Sequence, residues 1–260
     1  MTGYALRARF YRSEFTTTDD FPALTRLLAG DCGLVIDIPS GAGRLLPVHQ
    51  QHSRDVIMVD NEPAMVRQCQ AAARSRGLTP RVSAVRGDMR TWRPPRPADR
   101  IIIARGGLQL LPSAAGAGQA LAVAAANLAP GGLVYLDVAM PWTAADTAGP
   151  DLPAFMRFAG NTELHGGDTF AAGDRTRIRR TYASTLLPDC VDSRFTYQAS
   201  GPAAGWQDFT ARVRWSRLDA DVLLTACKQN GLSPVAAYGN YSGGAYHDGS
   251  ARFICIAAAR

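Results

Sequence analysis

The sequence predicts an α/β fold: a seven-stranded, mostly parallel sheet whose last strand is antiparallel, with a small antiparallel β lid inserted after strand five. Three observations predict it. Between Gly33 and Pro141, short β-branched or apolar runs alternate with longer, alanine-rich, helix-permissive segments, the sequence form of repeated βαβ units. After Pro141 the alternation stops, and strand-like runs follow one another with only turns between them. The chain then closes with a helix and two more strands.

Taken in order, residues 1–32 read as an N-terminal helical cap, with Asp19 and Asp20 available to cap the segment FPALTRLLA. Residues 33–141 form the core. Its strands are LVIDI (34–38), DVIMV (55–59), RVSAV (81–85), RIIIA (100–104) and LVYLDV (133–138). Helices fill 42–51, 62–75 and 114–128. Pro63 stands near the start of the second, where its missing N–H costs nothing, and Pro130-Gly131-Gly132 ends the third. In the lid insertion, 142–216, residues 142–174 read as irregular and are followed by strands at 175–185, 192–200 and 206–215. The turns Leu187-Pro188-Asp189 and Ser200-Gly201-Pro202 suit an antiparallel pairing of those strands. Residues 217–260 supply a helix at about 219–229, closed at Gly231, and two final strands, SPVAAYG and ARFICIAAA. No repeat of 20 to 50 residues is visible, and 1–260 reads as a single domain.

Composition narrows the function classes. With 47% hydrophobic and 19% charged residues, the 260-residue chain is globular rather than disordered or fibrous. The net charge of +6 invites a nucleic-acid reading. Basicity supports that only when it is clustered, and here the arginines are scattered, the densest group being Arg175, Arg177, Arg179 and Arg180. No nucleic-acid partner is expected. The five cysteines form no C-x-x-C pair and have no histidine at zinc-site spacing, so a reduced, cytoplasmic protein without a metal is expected. The N-terminus lacks an apolar signal region and no run approaches the ~20 apolar residues of a membrane helix, so neither secretion nor membrane insertion is expected.

The most informative segment is Asp37-Ile38-Pro39-Ser40-Gly41-Ala42-Gly43. An apolar strand runs into a tight glycine turn and then a helix, which directs backbone N–H groups and a helix N-terminus at a ligand on the carboxyl edge of the sheet. Gly41 and Gly43 permit close backbone approach. Asp60 ends strand two, where a carboxylate can accept hydrogen bonds from both hydroxyls of a ribose. Gly87-Asp88-Met89 ends strand three; Asp88 can take an adenine amino group and Met89 can pack on its ring. A nicotinamide dehydrogenase would use the same strand ends, but its third glycine falls at position 46, which is Leu46, and Lys228 is the one lysine available to a Ser/Tyr/Lys set.

This set resembles the class I S-adenosylmethionine-dependent methyltransferases, specifically their small-molecule, natural-product subgroup, and implies a Rossmann-like sheet. Asp37 to Gly43 looks like their first motif, Asp60 like the ribose-binding acid, Gly87-Asp88-Met89 like the adenine-contacting motif, and Leu128 to Leu133 like the turn into strand five. The resemblance covers residues 33 to 140 closely. Pro39 stands where many members have glycine, which stiffens the turn. The resemblance further implies cofactor contacts from Asn61 and Met65 beside the ribose acid and from Ala104 and Arg105 after strand four. The implied cofactor is S-adenosyl-L-methionine, with S-adenosyl-L-homocysteine as product.

On the acceptor side, Gln109 follows strand four beside the transferring methyl in the family topology. That loop lacks the Asn/Asp-Pro-Pro-Tyr/Phe motif of members that methylate amide or base nitrogens. Tyr11 resembles a family tyrosine that covers the sulfonium. His165, the one histidine in 142–174, is the candidate general base. Tyr182, Tyr197, Trp206 and Arg214 on the lid strands, with Tyr241 in the last hairpin, are candidates for holding the acceptor. Members with such a lid often methylate amino sugars or other natural-product intermediates, and some form homodimers through the lid sheet. The expectation is an N-, O- or C-methyltransferase of a small molecule in secondary metabolism; the alternatives are an RNA methyltransferase and a non-catalytic nucleotide-binding protein.

Overall fold

The computed structural model describes residues 5, 7–30, 32–143, 151–172, 175–201 and 208–260. Its larger sheet contains β1 (Leu34–Asp37), β2 (Asp55–Asp60), β3 (Val82–Arg86), β4 (Ala98–Ile103), β5 (Leu128–Ala139), β10 (Leu232–Tyr238) and β11 (Arg252–Ala259). They lie in the order β10-β11-β5-β4-β1-β2-β3. β1 to β5 pair in parallel, and β11 runs antiparallel to both β5 and β10. The order reverses direction at β1, so the carboxyl ends of β1 and β4 flank a crevice of the kind in which open α/β sheets bind ligands.

Helices α1 (Tyr11–Glu14) and α2 (Phe21–Leu27) precede β1. Then α3 (Leu46–His52), α4 (Pro63–Ser75), α5 (Ala114–Ala126) and α6 (Ala220–Gln229) cover the faces. All four residues of β1 are buried because the sheet is covered on both sides. Ile36, Ile101, Ile103, Val134 and Leu136 pack toward α5 and α6. Val35, Val56, Met58 and Ile102 pack toward α2, α3 and α4. Each such side chain contributes roughly 1.5–3 kcal/mol on leaving water.

Three local expectations are corrected. Residues 42–45 are tight turns, so α3 starts at Leu46 rather than at 42. Asp20 occupies the N-cap of α2 but its side chain makes no cap bond; its two oxygens accept from Arg44 at 2.7 and 2.5 Å. The run Leu128 to Leu133 is already part of β5. It holds the extra residues of a register shift, since Ala98 pairs with Leu128 and Arg100 with Leu133.

The lid is a separate antiparallel sheet of four strands, β6 (Glu163–Ala171), β7 (Arg177–Leu186), β8 (Cys190–Ser200) and β9 (Phe209–Ser216), in that order. β6 corrects the irregular reading of 142–174. Its Gly166-Gly167 pair erased the alternation that marks a strand, yet Gly166 has a packing reason there: a Cβ would run into the Tyr182 hydroxyl on β7. Side chains alternate across the lid, sending Ile178, Phe195, Val213 and Trp215 inward and Arg179, Arg194, Arg212 and Arg214 to solvent. Among the described residues, no helix is long and apolar enough to cross a membrane.

Candidate active site

β1 ends at Asp37, 2% exposed, and the chain turns through Pro39, Ser40, Gly41 and Gly43 into α3. Gly41 and Gly43 have φ of 54° and 86°, a backbone region that side chains disfavour. A Cβ on Gly43 would lie 2.7 Å from Leu46, and one on Gly41 would lie 3.0 Å from the Tyr11 ring, which rests on the turn. Asp60, at the end of β2, faces the same turn. Its Oδ2 accepts the Gly41 N–H at 2.9 Å and its Oδ1 accepts the Glu62 N–H at 2.9 Å. Burial raises the Asp60 carboxyl above its ordinary value, while those two N–H groups pull it back and the nearby Asp37 charge pushes it up again. Each oxygen keeps a lone pair for one further donor, as two ribose hydroxyls require.

Gly87 donates to the Asp60 carbonyl at 3.1 Å and leaves no room for a Cβ beside Trp92. Asp88 is held by a bidentate Arg90, whose hydrogen bonds keep its carboxyl below the usual range. Met89 is half-buried, Asn61 exposed, and Met65 is buried beneath Ala8, Ala42 and Tyr11. These β2 and β3 residues lie beside the turn but outside the cavity described next.

A cavity of about 300 Å³ opens between the turn and the lid. Its walls are the N-terminal segment, the turn, the β4 loop Ala104–Gly107, residues 151–157, and Arg180 and Trp215 of the lid. The β4 loop is fixed from below. Arg105 and Gly106 both have positive φ, 51° and 75°. Buried Asp137 of β5 accepts the Arg105 N–H at 3.0 Å on its side chain and the Gly106 N–H at 2.7 Å on its carbonyl. The same carboxylate binds Arg252 and accepts the Tyr241 hydroxyl at 2.8 Å. Glu14 closes the other end: its carboxylate accepts Arg7 at 2.8 Å, Arg180 at 2.6 Å and the Tyr197 hydroxyl at 2.9 Å, clamping the N-terminal segment to the lid.

The acceptor-side candidates divide. Tyr11 and Gln109 line the cavity. The Gln109 amide, however, is occupied by the Ala139 N–H and C=O and the Ser216 carbonyl, so it joins β5 to β9. Tyr241 is buried between Asp137 and Arg105, and Tyr197 is bonded to Glu14; neither reaches the cavity. Tyr182 packs on Phe155 and Phe195. Arg214 points outward to Cys190, because the alternation of β9 puts Trp215 on the inner face instead. His165 is exposed on β6 and does not line the cavity. Trp206 lies outside the described residues. The sequence reading missed Glu14, Arg180, Asp137, Arg252, Phe155 and Trp215. The one readable signal was Asp137, a carboxylate inside the apolar run LVYLDV, which demands a buried partner. Among the described residues, no group of three or more His, Cys, Asp or Glu side chains is arranged to hold a metal ion.

Residues 35–132 match the methyltransferase domain family. No protein of curated function matches the chain by sequence. The fold is similar to a solved S-adenosylmethionine-dependent methyltransferase from Clostridium acetobutylicum, at 11% identity, TM-score 0.74 and 95% of both chains covered. It is similar to an S-adenosylmethionine-bound amino pentose methyltransferase of calicheamicin biosynthesis from Micromonospora echinaspora, at 21% identity, TM-score 0.65, covering 95% of this chain and 94% of that one. It is also similar to a sugar N-methyltransferase from Streptoalloteichus sp, at 18% identity, TM-score 0.66, covering 91% of this chain and 84% of that one. The matched stretch runs from β1 through the glycine turn and β2 to β4 into the start of β5, so it is this part of the chain that carries the likeness to a methyltransferase domain.

Proposed function

We propose that this methyltransferase acts on a small-molecule acceptor in secondary-metabolite biosynthesis, in the cytoplasm. The observation that carries the reading is the cavity: about 300 Å³, roofed by the lid and walled on the acceptor side by Phe155 stacked on Trp215, centroids 5.0 Å apart. An RNA strand would have to displace that roof to reach the turn, whereas a small acceptor fits beneath it. The amino pentose and sugar N-methyltransferases of similar fold support the same class.

The glycine turn and Asp60 fit the cofactor, Gly41 and Gly43 taking the positive φ values that the tight turn needs and the carboxylate keeping two free lone pairs. Asp60 would hold the ribose, the turn from Asp37 to Gly43 the methionine tail, and Asp88 with Met89 the adenine. S-adenosylmethionine supplies an electrophilic methyl group on a sulfonium. The protein's part is then to align the acceptor with that methyl and exclude water, which the Tyr11 cover and the lid do. The sugar N-methyltransferase of similar fold favours a nitrogen nucleophile, which attacks as its neutral amine. His165 has no part in this scheme. β6 is an edge strand, and pairing of two such edges would give a homodimer; light scattering reads that directly.

The test is transfer from methyl-labelled S-adenosylmethionine to a panel of amino sugars and other small amines, matched alcohols, and total tRNA and rRNA. Label is expected in the small-molecule fraction. Label in RNA refutes the reading, and stoichiometric cofactor binding without transfer to anything would make the chain a binding protein.

A further inference from the structure

We propose that Asp151 is the acceptor-binding carboxylate and that it receives an amine nitrogen. The inference rests on the small-molecule reading above. Four acids line the cavity, Glu14, Asp19, Asp37 and Asp151. Glu14 is saturated by two arginines and a tyrosine. Asp19 is bonded to Arg105 and Thr17. Asp37 belongs to the cofactor turn, with buried His49 3.5 Å away. The half-buried Asp151 carboxylate has no hydrogen bond or ion pair with any described residue.

Its place is nonetheless fixed. The Asp151 main-chain carbonyl accepts Arg252 Nη1 at 3.0 Å, and the same guanidinium grips Asp137, which holds the Arg105 N–H. One guanidinium and one carboxylate therefore connect Asp151 to the β4 loop, which lines the same cavity. The backbone is anchored while the side chain is left for a ligand.

The chemistry calls for an anion at that point. The acceptor nitrogen, as its neutral amine, donates its lone pair to form the N–C bond while the bond from the methyl carbon to sulfur breaks and its electron pair stays on sulfur. The positive charge leaves sulfur and arrives at nitrogen. A carboxylate beside the nitrogen accepts an N–H before transfer and stabilises the charge as it develops, so the interaction is stronger in the transition state than in the ground state. The extra proton leaves with the product for water.

The experiment compares wild type, Asp151→Asn and Asp151→Glu on the best amine found in the labelled panel. Because the side chain carries no bond within the described structure, Asp151→Asn is expected to keep Tm and S-adenosylhomocysteine affinity near wild type. Its kcat/KM is expected to fall at least ~30-fold, with a smaller loss of amine affinity for the S-adenosylhomocysteine complex by calorimetry, and Asp151→Glu is expected to recover most of both. An Asp151→Asn enzyme as active as wild type on the amine overturns the role of Asp151 alone. Transfer only to alcohols, or to no small molecule while S-adenosylhomocysteine still binds, overturns the amine assignment. Transfer to RNA defeats the small-molecule reading itself.

Discussion

The clamp at Glu14 offers the sharpest stability prediction. Its carboxylate is fully buried, with Arg7 1% and Arg180 7% exposed, and it accepts four hydrogen bonds from Arg7 and Arg180 together and one from Tyr197. Glu14→Gln keeps the shape and one carbonyl acceptor but removes the charge that two buried guanidiniums share. Breaking a buried ion pair from one side costs about 3–5 kcal/mol, and because Arg180 keeps its ion pair with Asp168 the loss is expected at the low end of that range. For a chain of this size that is roughly 10 °C in Tm. Urea denaturation followed by circular dichroism at pH 7 measures it. A pH series adds a second check. Burial alone would oppose ionisation, but the charges and hydrogen bonds of Arg7 and Arg180 overturn it and hold the carboxyl below its ordinary 4.5. A depressed folded-state value gives stabilisation that is complete above the unfolded carboxyl's pKa and drains away as pH falls below about 4.5 toward the folded value. The gap between wild type and Glu14→Gln should therefore narrow in that window. A loss under about 1 kcal/mol at pH 7, or a gap that widens on acidification, would refute the argument.

Two other substitutions test the turn and the core. Gly43→Ala must hold φ near 86° and push against Leu46 at 2.7 Å and Cys69 at 3.1 Å, so it is expected to cost about 2–4 kcal/mol and to weaken S-adenosylhomocysteine binding; thermal denaturation with and without ligand checks both. Tyr135→Phe removes a buried hydroxyl that has no hydrogen-bond partner, and is expected to leave stability unchanged or raise it by about 1 kcal/mol, read from the urea midpoint.

The cofactor half of the molecule was legible in the sequence because its signals are local. A strand such as LVIDI, covered on both faces, must be continuously apolar, and a glycine turn followed by a helix has few alternatives. The lid was less legible because strand alternation gives a period but not a phase. On β9 the same pattern permits either Arg214 or Trp215 to face inward, and only packing against Phe155 and Phe195 decides for Trp215. β6 was invisible because its central glycines carry no pattern; Gly166 admits Tyr182 from the neighbouring strand and Gly167 admits the β7 backbone at Arg180 and Thr181. The Glu14 clamp joins residues 166 and 183 positions apart in sequence, a distance at which no local rule operates. Asp151 gave no signal at all, since a single acid between Pro150 and Leu152 reads as an ordinary loop residue.

The most direct measurement of the whole account is calorimetry of S-adenosylhomocysteine with wild type and Asp60→Ala. The carboxylate orders the glycine turn through the Gly41 N–H and keeps a lone pair on each oxygen for the ribose, so wild type should bind stoichiometrically and the variant at least ~10-fold more weakly. Equal affinity in the two proteins would contradict the site.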